Sequence, residues 1–190
     1  MSIEKLKANY PVKTRWIHFP LHPETPAEGR SLAELFAGRD IEPVRQRLKG
    51  LMAEAGLAYG DRTHTYNSRL AQELGAWADA QLEYQPDADG QNDAVHDALY
   101  RAYFVDNKNI GDIETLVAIV DSLGLNGTAA REALETRAFS DKVDEDWARS
   151  RASGVTGVPT FTAQGLAVVG CQPYETLEKF VQHLLEHPKG

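Results

Sequence analysis

Apolar residues recur at spacings of three and four through most of the chain, which is the signature of helices that bury one face. Leu70, Leu74, Trp77, Ala78 and Leu82 align on one helix, with Asn67 or Ser68 placed to cap it. After a polar break over Pro86–Gly90, a second helix carries Val95, Ala98, Leu99, Ala102 and Tyr103. Asp112 opens a third, with Ile113, Leu116, Val117, Val120 and Leu123 on one face and Gly124 as its stop. Shorter helices are expected over 128–137 and over 141–153, the latter with Asp141 as cap and Gly154 as stop. Upstream, Ser31 with Glu34 has capping-box spacing, and residues 43–56 read as a helix ending at Gly56. Ile3, Leu6 and Tyr10 fit the last turns of a helix entering from upstream. Pro23–Arg30 and Tyr59–Tyr66 read as loops.

Strand patterns sit towards the two ends. Residues 12–19 have strand-like composition before Pro20 and Pro23 interrupt it. Residues 159–163 predict a strand, Gln164-Gly165 a tight turn, and Leu166–Val169 its hairpin partner. Tyr174–Glu186 closes the chain with Leu177, Phe180, Val181, Leu184 and Leu185 on one face. The order is strand, long helical block, then strand, strand and helix. That order predicts an α/β fold whose sheet-bearing parts, 1–30 and 154–190, are separated by an all-helical insertion over 31–153.

Composition narrows the function classes. At 42% hydrophobic and 25% charged, the chain has the balance of a soluble globular protein. No apolar run reaches membrane-spanning length, and residues 1–10 lack a signal-peptide core, so a cytoplasmic location without membrane attachment is expected. A net charge of -8 with no long basic run argues against nucleic acid as partner. The six histidines, His18, His22, His64, His96, His183 and His187, have no metal-ligand spacing, and no metal is expected. Asp87, Asp89 and Asp93 have the composition of a calcium loop without its pattern and read as a solvated turn. Trp77, Tyr100, Tyr103 and Phe104, at helical spacing, read as core.

The most informative stretch is Gly154-Val-Thr-Gly-Val-Pro-Thr-Phe161, followed by Val168-Val-Gly-Cys-Gln-Pro173. It resembles the cis-proline loop and closing hairpin of the DsbA family of thioredoxin-fold proteins. Trp16–Pro23, Tyr66–Ala71, Arg101–Phe104 with Ile110–Ile113, and Gly170–Pro173 extend the resemblance in the family's order over nearly the whole chain. The Gly-x-Gln-Pro ending matches its FrnE-type branch. The resemblance implies a thioredoxin-like fold and thiol–disulfide oxidoreductase or isomerase activity. It also implies a substrate site at Val158 and Pro159, where backbone groups pair with an extended thiol- or disulfide-bearing peptide or with glutathione.

Two departures bear on that activity. The family begins with an interior strand and a Cys-x-x-Cys motif, and residues 1–10 match only the tail of the helix that follows them. The first strand of the usual sheet is therefore missing, which predicts a start upstream of Met1, closure of the remaining strands, or a strand donated within a homo-oligomer. Second, one cysteine is present, Cys171, where the family usually has a small residue. Dithiol exchange needs two thiols, so these residues are expected to lack it on their own. Cys171 is the one candidate thiol, as a mixed-disulfide site, against the alternative of a small buried residue. Non-catalytic peptide or glutathione binding is the alternative function.

Overall fold

The computed structural model describes residues 2–83 and 91–188. In chain order the first elements are α1 (Ser2–Asn9), β1 (Arg30–Ser31), α2 (Leu32–Leu35), α3 (Glu42–Glu54), β2 (His64–Thr65) and α4 (Arg69–Glu83). There follow α5 (Gln91–Phe104), α6 (Ile113–Ser122), α7 (Gly127–Glu135), α8 (Ser140–Ala152), β3 (Thr160–Ala163), β4 (Leu166–Val169) and α9 (Tyr174–Glu186). The chain packs as two units, Met1–Phe19 with Asp146–Gly190, and Pro20–Glu145. The borders read from the sequence, 30/31 and 153/154, stand beside these packing borders of 19/20 and 145/146.

The unit Pro20–Glu145 is built on α4 to α7. Leu74, Val95, Leu116, Val120 and Ala130 have no exposed surface, and Trp77 joins them in one core. Each fully buried leucine or valine contributes about 1.5–3 kcal/mol. The helix ends follow their sequence signals. Asp112 accepts from Thr115 N at 2.9 Å at the start of α6, and Asn67 Oδ1 accepts from Arg69 N at 2.9 Å at the start of α4. Gly124 takes φ +71° just past the end of α6, a conformation that glycine adopts without steric cost. Ser31 does precede α2, but its side chain makes no capping bond. α8 starts one residue before Asp141, which therefore lies in the first turn.

In the other unit, α1 packs on α9. Leu6, Leu177 and Val181 are buried, with Val12, Phe161, Val168 and Tyr174 against them. Tyr10 Oη donates to Glu178 Oε1 at 3.0 Å and Asn9 Nδ2 to Tyr174 Oη at 2.9 Å along that contact. β3 and β4 pair antiparallel with Thr160 opposite Val169 and Ala163 opposite Leu166. Gln164 at φ +53° and Gly165 at φ +81° form the two-residue turn, both left-handed as a type I′ hairpin requires.

The expected strand at 12–19 does not form. The ladders among the described residues are β1–β2 and β3–β4, and residues 11–20 have no strand to pair with. Side chains anchor the segment instead. His18 N and Nδ1 contact Asp146 Oδ2 at 3.3 and 2.9 Å, and Ser150 Oγ donates to His18 O at 3.1 Å. The loop expected at 59–66 contains β2, which pairs antiparallel with β1. Two-residue strands are too short for alternation to reveal them.

Candidate functional site

The hairpin edge holds the residues singled out from the sequence. The Val158–Pro159 peptide bond is cis, and Pro159 O accepts from Gly170 N at 2.8 Å, extending the β3–β4 ladder by one pair. Hydrogen-bonded and non-bonded pairs alternate along an antiparallel ladder. The backbone N–H and C=O of Thr160 and Thr162 therefore point away from β4, towards an edge where no described strand is paired. Val158 is half-exposed, and no described residue bonds its backbone N–H or C=O. Thr160 Oγ1 donates to Gly157 O at 2.7 Å and fixes the approach to the turn.

Cys171 is exposed and follows Gly170, three residues before α9. Gln172 Nε2 donates to Val169 O at 2.7 Å, so the segment carrying the thiol is tied back to the end of β4. Among the described residues, no three His, Cys, Asp or Glu side chains come together as metal ligands. Asp87 and Asp89 lie outside the described residues.

Two polar side-chain arrangements are at most partly visible in the sequence. In the helical unit, Glu73 is 1% exposed and accepts from Arg69 Nε, Arg137 Nε and Arg137 Nη2, each at 2.7 Å. Burial alone would push its carboxyl up, but the bonds and charges of Arg137 and Arg69 outweigh it and hold the group below the usual carboxylate range. Arg137 takes φ +55°, a left-handed conformation uncommon outside glycine, while making that bidentate contact. A cavity of about 240 Å³ opens beside Asn67, Arg69, Gly111 and Arg137. Its guanidinium charges are matched by Glu73 and by Asp144, 2.6 Å from Arg69, so it is not an excess-positive anion trap. The second arrangement is the His18–Asp146 pair. Only the Arg69–Glu73 spacing is visible as a local pattern; the other partners are more than 60 residues apart.

A cis X-Pro bond leading into a β-hairpin, closed by an amphipathic helix and accompanied by a separate helical unit, is the layout of a thioredoxin-class fold with a helical insertion. The chain belongs to the DSBA-like thioredoxin domain family, whose pattern it matches over residues 1–182. It is similar to a probable DsbA oxidoreductase of Streptomyces coelicolor, with 26% identity and a TM-score of 0.85, covering 100% of this chain and 84% of that one. A 2-hydroxychromene-2-carboxylate isomerase shares the fold at 18% identity and a TM-score of 0.63, covering 97% of this chain and 85% of the isomerase. The uncharacterized protein YwbO of Bacillus subtilis strain 168 is 30% identical over 84 residues, 44% of this chain. The chain matches 42% of the length of that curated relative. No helix among the described residues is long and apolar enough to cross a membrane.

Proposed function

We propose that the protein serves thiol–disulfide chemistry by holding an extended thiol- or disulfide-bearing peptide, or glutathione, along the β3 edge at Val158 and Pro159. On this reading it is a FrnE-type relative of the DsbA oxidoreductases that works in the cytoplasm. The observation that carries the proposal is the unpaired edge itself. Val158 is half-exposed with no described backbone partner, and Thr160 and Thr162 turn their backbone groups the same way. An added strand gains affinity from main-chain bonds to such an edge, with side-chain pockets supplying selectivity.

The residues in hand supply the binding half of such an exchange. With one thiol in 190 residues, any dithiol cycle draws its second thiol from elsewhere. A mixed disulfide remains open to Cys171: its thiolate attacks a substrate disulfide, one sulfur joins Cys171 and the other leaves as thiolate. The test is calorimetric titration of these 190 residues with an extended cysteine-containing peptide and with the same peptide N-methylated at alternate positions. Insulin reduction is measured in parallel. Saturable binding that N-methylation abolishes, without insulin turnover, is expected. Equal binding of the N-methylated peptide, or none of either, would contradict strand addition. Turnover lost in Cys171→Ser would shift the chemistry to that thiol.

A further inference from the structure

Helix α3 turns its apolar side chains to solvent. Val44, Leu48 and Leu51 are 60%, 39% and 49% exposed, Ala55 at the C-cap is exposed as well, and no residue of α3 is buried. The core helices do the reverse: Leu74 of α4, Leu116 of α6 and Leu134 of α7 are sealed from water. The half-buried side of α3 carries Arg45, Lys49 and Met52, and Asp61 holds the first two at 3.3 and 2.6 Å. A lone exposed leucine is ordinary on a protein surface. Here four apolar residues follow one another at steps of four, three and four, which is the spacing of a coiled-coil seam.

That spacing fixes a register. With Leu48 and Ala55 at the a positions and Val44 and Leu51 at d, Arg47 and Glu54 both fall at g, on one flank of the seam. They lie about 10 Å apart along the helix. Both are exposed, they are opposite in sign, and neither forms an ion pair with a described residue. Two such helices packed antiparallel about a two-fold axis bring g against g, so Arg47 of each copy meets Glu54 of the other. In the same register Leu48 packs on Leu51 and Val44 on Ala55, so apolar layers and charges close together. A parallel pair sets g against the e position of the next heptad; Arg47 would then meet Met52 of the other copy and stay unpaired.

We propose that a second copy of this chain docks on α3. The two α3 helices pack antiparallel through Val44, Leu48, Leu51 and Ala55, with two Arg47–Glu54 ion pairs at the rim. A helix of 13 residues is about 20 Å long, so the seam buries less than the ~800 Å² per partner of a standard interface. The dimer is therefore weak and concentration-dependent. It belongs to the helical unit and does not depend on peptide binding at the β3 edge.

Sedimentation equilibrium of the 190-residue protein, from micromolar to millimolar protomer, tests it. The average mass should rise with concentration from 21.0 kDa towards twice that value. Leu48→Glu, at an exposed position, should weaken association at least about tenfold, because it sets a charge from each copy into the seam. Arg47→Glu and Glu54→Arg should each weaken self-association about tenfold, since like charges then face each other at both rim contacts. Mixed in equal amounts, those two variants should associate about as tightly as the unaltered protein, because opposite charges again meet at both contacts. A monomer up to millimolar concentration would overturn the proposal. So would association unchanged in Leu48→Glu, which would put the interface elsewhere. No recovery in the mixture would overturn the antiparallel register. The mixture compares variants altered only at exposed charges, so it decides the matter even if Leu48→Glu fails to fold.

Discussion

Glu73 is the most buried ionisable side chain among the described residues, and it converts two arginines into structural elements. Removing one partner of a buried ionic cluster leaves uncompensated charge, so Glu73→Ala should lower stability by about 3–5 kcal/mol in chemical denaturation. The sign of its pH dependence follows from the depressed carboxyl. Its folded pKa lies below the unfolded value of about 4.3, so its stabilisation is present above that pH and is lost as pH falls through the lower folded value. Melting curves of the natural protein should therefore drop more steeply on acidification below about pH 4.3 than those of Glu73→Gln. A parallel loss in both would show that other carboxylates govern acid unfolding. Half of this cluster was legible in the sequence: Arg69 and Glu73 are one helical turn apart, whereas Arg137 reaches Glu73 from 64 residues downstream. Aromatic spacing misled in part, since Trp77 is core while Tyr100 is half-exposed beside Phe104.

At the scale of elements, helices were read well and short ladders were not. α9 and β4 coincide with their sequence patterns residue for residue, because amphipathic periodicity and a Gln-Gly turn are local signals. The missing strand at 12–19 shows the limit. Strand composition is local, but a strand exists only when another chain segment supplies the ladder. The β1–β2 pair fails the opposite way, forming from two-residue stretches that carry no alternation. The segment before β2 depends on Gly60, where a Cβ would drive into the backbone of Val105. Gly60→Ala should therefore cost about 1–3 kcal/mol. It should also release that segment, seen as faster amide exchange at Gly60 and Thr63 relative to the core of α6. Unchanged exchange at both positions would mean the contact is absorbed elsewhere.

For the whole molecule, family membership was legible because its motifs run in order along nearly the entire chain, from Trp16–Pro23 to Gly170–Pro173, and the matched region spans residues 1–182. Activity was not legible in the same way, since a fold hosts chemistry only through the groups at its site. Here the site offers backbone donors and acceptors along β3 and one exposed thiol, Cys171. On the proposed reading, that inventory serves the binding of an extended peptide. The most direct measurement is hydrogen exchange at single-residue resolution, with and without a saturating extended peptide. Strand addition predicts new protection at the Thr160 and Thr162 amides, which point away from β4, with little change at Phe161, already bonded to β4. Protection confined to other regions, or none at Thr160 and Thr162 while the peptide is bound, would contradict the account.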